Sequence, residues 1–161
     1  MDGEKGLKND IKFDALKSVD YIELSKLSER LILVEFSDLY SQTNEINKQI
    51  TALKQCKLEN SQKKAFLTKL GSTIQKELTD KYKDTRLIIE QMQHEKFYSE
   101  LNLHKTVFYV VIAPFHKSIA KADKVEIARR LDDLESNIDR CLPGAWDVKV
   151  KLVSITQFSS A

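Results

Sequence analysis

Three histidines (His94, His104, His116) and two cysteines (Cys56, Cys141) are the side chains here most apt for metal or nucleophilic chemistry. Zinc sites repeat His or Cys at short fixed intervals, and none of these five residues stands at such an interval from another. No metal and no cofactor is therefore expected. Cys141 falls near the C-terminal end of a predicted helix, where the helix dipole does not favour a thiolate. Both cysteines read as inert reduced thiols. The paired carboxylates Asp132–Asp133 and Glu95 with Glu100 have no histidine beside them and no visible apolar pocket to shift a pKa, so they read as wet helix faces. Catalytic residues: none.

Phosphate-cradling loops need glycine so that backbone N–H groups can approach the anion. The chain has no GxxxxGK[ST] or GxGxxG, and no glycine in the 114–122 loop. That loop follows a predicted strand, where an open α/β sheet places a ligand. His116, Lys117 and Ser118 could meet an anion there, although a solvated connection is the favoured reading.

The charge balance, 26 Lys+Arg against 24 Asp+Glu, gives a net +2. A domain built to grip nucleic acid is usually far more basic. Lys48, Lys54, Lys57, Lys63, Lys64, Lys69 and Lys76 are interleaved with Glu45, Glu59, Glu77 and Asp80, which dilutes their field. Nucleic acid is not expected as a partner on that balance. No apolar run approaches the roughly 18 residues of a membrane span, and the opening residues lack the apolar core of a secretion signal. With cysteines this sparse, a soluble cytoplasmic chain is expected.

The elements that would position these groups are marked by punctuation. Between Leu7 and Ala113 there is no proline and a single glycine, Gly71. Such a stretch favours long helices. Leu24, Leu27, Leu31 and Val34 keep helical spacing after a cap at Ser18 or Asp20. The stripe then shifts to Ile32, Phe36, Leu39, Ile46, Ile50 and Leu53. The apolar segment 30–36 fits a helix or a buried strand, and the helical spacing on both sides favours helix. A turn near 57–61 precedes a second helix over 62–101.

Residues 106–113 are β-branched and aromatic and read as a strand buried on both faces. A helix over 123–141 and a last strand over 146–155, slipping at Leu152–Val153 as a bulge would, complete a parallel, right-handed βαβ unit. The expected fold class is α+β: a long antiparallel, coiled-coil-like helical hairpin followed by a small βαβ head. The boundaries are a tail at 1–13, the stalk at 14–103, the head at 104–158 and a tail at 159–161. Two strands do not make a stable sheet, so a third must come from 30–36 or from a partner chain.

Trp146 either plugs the head core, the favoured role, or anchors an interface beside Lys149 and Lys151. The expected function is a non-enzymatic protein–protein interaction or assembly subunit, a homo- or hetero-oligomer joined through its long helices. Its head would bind a protein partner through Trp146, Lys149, Lys151, Phe115, His116, Arg129 and Arg130. Two alternatives stand beside it: a nucleic-acid-associated factor using the stalk lysines, and a small-ligand or enzymatic domain with its site in the 114–122 loop.

Overall fold

The computed structural model describes residues 16–25, 30–94, 105–114 and 121–159. Among these residues four strands form one mixed sheet in the order β1-β2-β3-β4: β1 Tyr21–Ser25, β2 Arg30–Ser37, β3 Thr106–Ile112 and β4 Val148–Ser154. β1 and β2 are antiparallel, while β2, β3 and β4 run parallel. Three helices, α1 Leu39–Gln55, α2 Asn60–Gly71 and α3 Thr73–His94, join β2 to β3. α4, Lys121–Cys141, joins β3 to β4, and the short α5, Ile155–Phe158, follows β4.

This architecture corrects the expectation of a long antiparallel hairpin. Tyr21–Ser25 and Arg30–Ser37 are extended, and the helices after them are 17, 12 and 22 residues long. The second helix is interrupted where Gly71 gives way to Ser72. The sheet holds four strands where the βαβ unit supplied two. β2 supplies the missing third strand, lying in register between β1 and β3 from Leu31 to Val34. The β4 register runs unbroken to Ser154, so no bulge occurs at Leu152–Val153. The strand over Thr106–Ile112, its parallel partner and the helix between them agree with the sequence. The tail at 1–13 lies outside the described residues.

Both crossovers step the same way along the sheet. Right-handed connections therefore bring α3 and α4 to one face. On that face Leu31, Leu33, Phe108, Val110 and Val150 pack with Leu78, Tyr82 and Ile89 of α3 and Ile138 of α4. Each such fully buried side chain contributes about 1.5–3 kcal/mol of transfer free energy. The opposite face carries the row Tyr21, Val34, Tyr109 and Lys151, one residue from each strand. There Phe158 of α5 meets the rings of Phe36 and Tyr109, at 6.3 and 5.3 Å. β4 is an edge strand, and Glu135 of α4 accepts the Leu152 N–H at 2.8 Å, so a side chain takes one donor another strand could use.

Asp38 caps α1, its carboxylate accepting the Ser41 N–H at 3.0 Å and the Ser41 hydroxyl at 2.6 Å. The hydroxyl first, and then the N–H, hold its pKa below the usual 3.8. A depressed carboxylate adds stability that is present above its unfolded pKa and lost as pH falls through its folded pKa. Asp38→Ala is expected to cost about 1 kcal/mol at neutral pH. Asp38→Asn should keep most of the cap. In urea titrations below the ordinary carboxylate pKa, Asp38→Asn should lose less stability than the wild type. Equal acid limbs would contradict the capping account.

Candidate functional site

Asp20 ends the segment before β1, where the β1–β2 ladder stops at Tyr21 and Val34. Its Oδ2 accepts the Phe36 N–H at 2.8 Å, extending that ladder by one side-chain bond. The bond fixes the Asp20 carboxylate beside Glu35. Asp20 itself is exposed, and the segment leading to it is pinned to α3: the Val19 N–H donates to Thr85 Oγ1 at 2.9 Å and the Lys17 N–H to Asp84 Oδ2 at 3.0 Å.

Glu35 shares the helix-covered face of β2 with Leu31 and Leu33, because strand side chains alternate with period two. Its side chain is 5% exposed. Oε1 accepts a hydrogen bond from the Lys81 ammonium of α3, which is 21% exposed. Oε2 is buried and has no hydrogen-bond partner among the described residues. Glu77, one helical turn before Lys81 and half-buried, faces the same pair.

The charges of Asp20 and Glu77 thus bear on the Glu35–Lys81 pair. Burial, opposed by Lys81 and reinforced by the charges of Asp20 and Glu77, holds the Glu35 carboxyl above its usual 4.5. Burial pulls Lys81 down, but its bond to Glu35 and the charges of Glu35, Asp20 and Glu77 outweigh that and carry it above 10.5. Burial leads the first shift, and the bond to Glu35 with the neighbouring negative charge produces the second. A buried carboxyl shifted by burial and by a specific charged partner, with an unmatched oxygen, marks a candidate functional site. It lies in the carboxyl-terminal half of β2, the end of a parallel strand where α/β sheets place their ligands.

No group of three or more His, Cys, Asp or Glu suited to a metal occurs among the described residues. A magnesium-type ion needs fewer protein ligands: one or two carboxylates, completed by water and substrate oxygens. Asp20 and Glu35 carry hard oxygen donors of the kind such an ion takes.

The residues expected from sequence to bind a partner do not gather at this site. Trp146 is half-buried in the core, its ring 5.8 Å from Tyr82 and 4.4 Å from the Arg86 guanidinium carbon. Arg86 is itself buried and bonded to Glu90 at 2.9 Å. Lys149 and Lys151 lie on the sheet face opposite α3, with Lys151 Nζ 5.6 Å from the Tyr109 ring centroid. Arg129 is exposed on α4. Phe115, His116, Lys117, Ser118 and His104 lie outside the described residues, as do the side chains of Arg130 and His94. Cys56 and Cys141 are both free and exposed, and the Gln75 amide donates to Cys141 Sγ at 2.9 Å.

Sequence reasoning offered Asp20, with Ser18, only as a helix cap and passed over Glu35. The missed signal was a lone acid inside an apolar run, in phase with Leu31 and Leu33. Among the described residues no helix is long and apolar enough to cross a membrane. Compared with protein-family models, curated proteins and solved structures, the chain matches none.

Proposed function

We propose that this chain hydrolyses phosphodiester links in a polyanion with the help of a divalent cation held by Asp20 and Glu35. One observation carries the reading: Glu35 Oε2 is a buried, unmatched carboxylate oxygen beside a second carboxylate and an ammonium. Burying such an oxygen with nothing to satisfy it costs several kcal/mol, and a cation offsets that cost. When bound, the ion supplies an acidified water and neutralises phosphate charge.

The chain's own residues do the rest. Lys81 holds Glu35 Oε1, so the other oxygen keeps one orientation, and its positive charge offsets negative charge gathering on nearby phosphate oxygens. The Phe36 N–H keeps the Asp20 carboxylate turned toward Glu35. Glu77 adds negative charge that favours a cation at this place and disfavours a free anion. The sheet, with α3 packed across it, keeps this group from moving apart.

Hydrolysis of bis(p-nitrophenyl) phosphate tests the reading. Release of nitrophenolate should require magnesium or manganese and stop on adding a chelator. A rate equal to that of the buffer, with either metal, would contradict it.

A second reading keeps the chain a non-enzymatic interaction subunit. Tyr21 and Phe36, 45% and 50% exposed on the sheet face opposite α3, favour it. A partner protein seated there would protect both rings and bind regardless of divalent metal, which separates the two readings.

A further inference from the structure

α1 leaves β2 directly after Ser37 and Asp38, and α2 returns to α3 through Ser72. These two helices form an arm rooted in the elements that carry Glu35 and Lys81. The arm has almost no core. Between residues 39 and 71 only Leu39 is buried among the described positions. Ile46, Ile50 and Leu53 of α1 and Leu67 and Leu70 of α2 are half-buried. Lys63 Nζ donates to the Lys54 carbonyl oxygen at 3.4 Å, tying the end of α1 to α2. Phe66 is left 50% exposed, with Lys63 and Lys69 one turn away on either side of it.

Charge is concentrated here as well. Residues 39–71 hold six lysines and two glutamates, a net +4, while the remaining chain holds 20 basic against 22 acidic residues. The balance of +2 over the whole chain averages a basic arm with an acidic body. An arm of this sign repels a second copy of itself and attracts a polyanion.

We infer that the arm holds a single strand of nucleic acid for the site at its root. The exposed Lys57, Lys64 and Lys69 meet phosphates, and a base stacks on Phe66. This rests on the hydrolytic reading and names its substrate class. Lysines supply affinity through counterion release, and an exposed ring among them supplies a stacking surface that every unpaired base can use.

Binding of a labelled DNA of about 20 nucleotides, followed by anisotropy in the presence of a chelator, tests it. Wild-type affinity should fall steeply between about 50 and 200 mM salt. In Lys57→Gln/Lys64→Gln/Lys69→Gln the log–log salt slope should shrink by about 2, at roughly 0.7 per phosphate contact. Phe66→Ala should weaken single-strand binding about tenfold, keep the salt slope, and leave duplex binding unchanged. Lys105→Gln/Arg140→Gln, exposed positions outside the arm, serve as the control for general charge loss. An unchanged slope in the triple variant, equal loss in the control, or poly-glutamate binding as tightly as DNA would each overturn the inference.

Failure here is separable from failure of the site. Small-diester hydrolysis with strand binding indifferent to the arm variants overturns only the arm. Arm-dependent strand binding without small-diester hydrolysis overturns only the proposed chemistry.

Discussion

Glu35→Gln should lower metal-dependent diester hydrolysis by about 100-fold or more while the protein stays folded. The amide matches the carboxyl in size and still accepts from Lys81, so the packing between β2 and α3 is kept. What it loses is charge at the unmatched oxygen. Removing a buried charge also relieves desolvation, so stability should hold or rise slightly. Asp20→Asn should lose activity similarly while keeping its place, because its remaining oxygen can still accept the Phe36 N–H. Read as free energies, both changes should lower kcat/KM at saturating metal. A Glu35→Gln enzyme within about fivefold of wild type would remove the carboxylate from the proposed chemistry.

Lys81→Met carries the second large effect, on stability. It leaves Glu35 buried with its ammonium partner gone, and breaking a buried pair from one side costs about 3–5 kcal/mol. For a chain of this size that is a fall of roughly 10 °C in Tm. The cost has a definite pH dependence. Glu35 already has a raised pKa, and losing Lys81 removes the interactions that lowered it. A group with a raised folded pKa contributes stability below its unfolded pKa and loses it as pH rises through the folded value. Lys81→Met should therefore approach wild-type stability near the ordinary glutamate pKa and fall away toward neutral pH. Adding Glu35→Leu should recover much of the loss, because two apolar side chains of similar volume replace a buried ion pair at little or no cost. Urea titrations of the four proteins across that range measure the coupling. Additive losses, with no recovery in the double variant, would mean that the two side chains do not act as a pair.

The half of the fold after Lys105 was legible because its punctuation is strong. Pro114 closes β3, Pro143 and Gly144 follow α4, and the β-branched run from Thr106 to Ile112 resembles nothing helical. The first half misled for a physical reason. β2 is an interior strand, covered on both sides from Leu31 to Val34 apart from half-buried Ile32, so it lacks the polar alternation that identifies a strand. Leu24, Leu27, Leu31 and Val34 also satisfy a helical repeat by coincidence. The residues joining β1 to β2, 26–29, contain no glycine, proline or asparagine to announce a hairpin. Gly71 did carry a signal: it stands where α2 ends.

The candidate site was hidden by the same mistake. In a helical reading Glu35 is one charged residue among many in the chain and draws no attention. Wound as a strand, it joins Leu31 and Leu33 on the covered face, which Lys81 reaches from a helix more than forty residues further on. Asp20 and Glu35 meet only because β1 folds back on β2. No spacing rule applied along the chain brings these three residues together. The charge of the arm was visible from the start, but only once its limits were known did six lysines separate from the acidic body.

Calorimetric titration of manganese into the wild type and into Asp20→Asn/Glu35→Gln tests the central claim most directly. The account predicts one binding event per chain in the wild type and its loss in the double variant, with both proteins folded. Equal binding by the two proteins, or none by the wild type at millimolar metal, would contradict it.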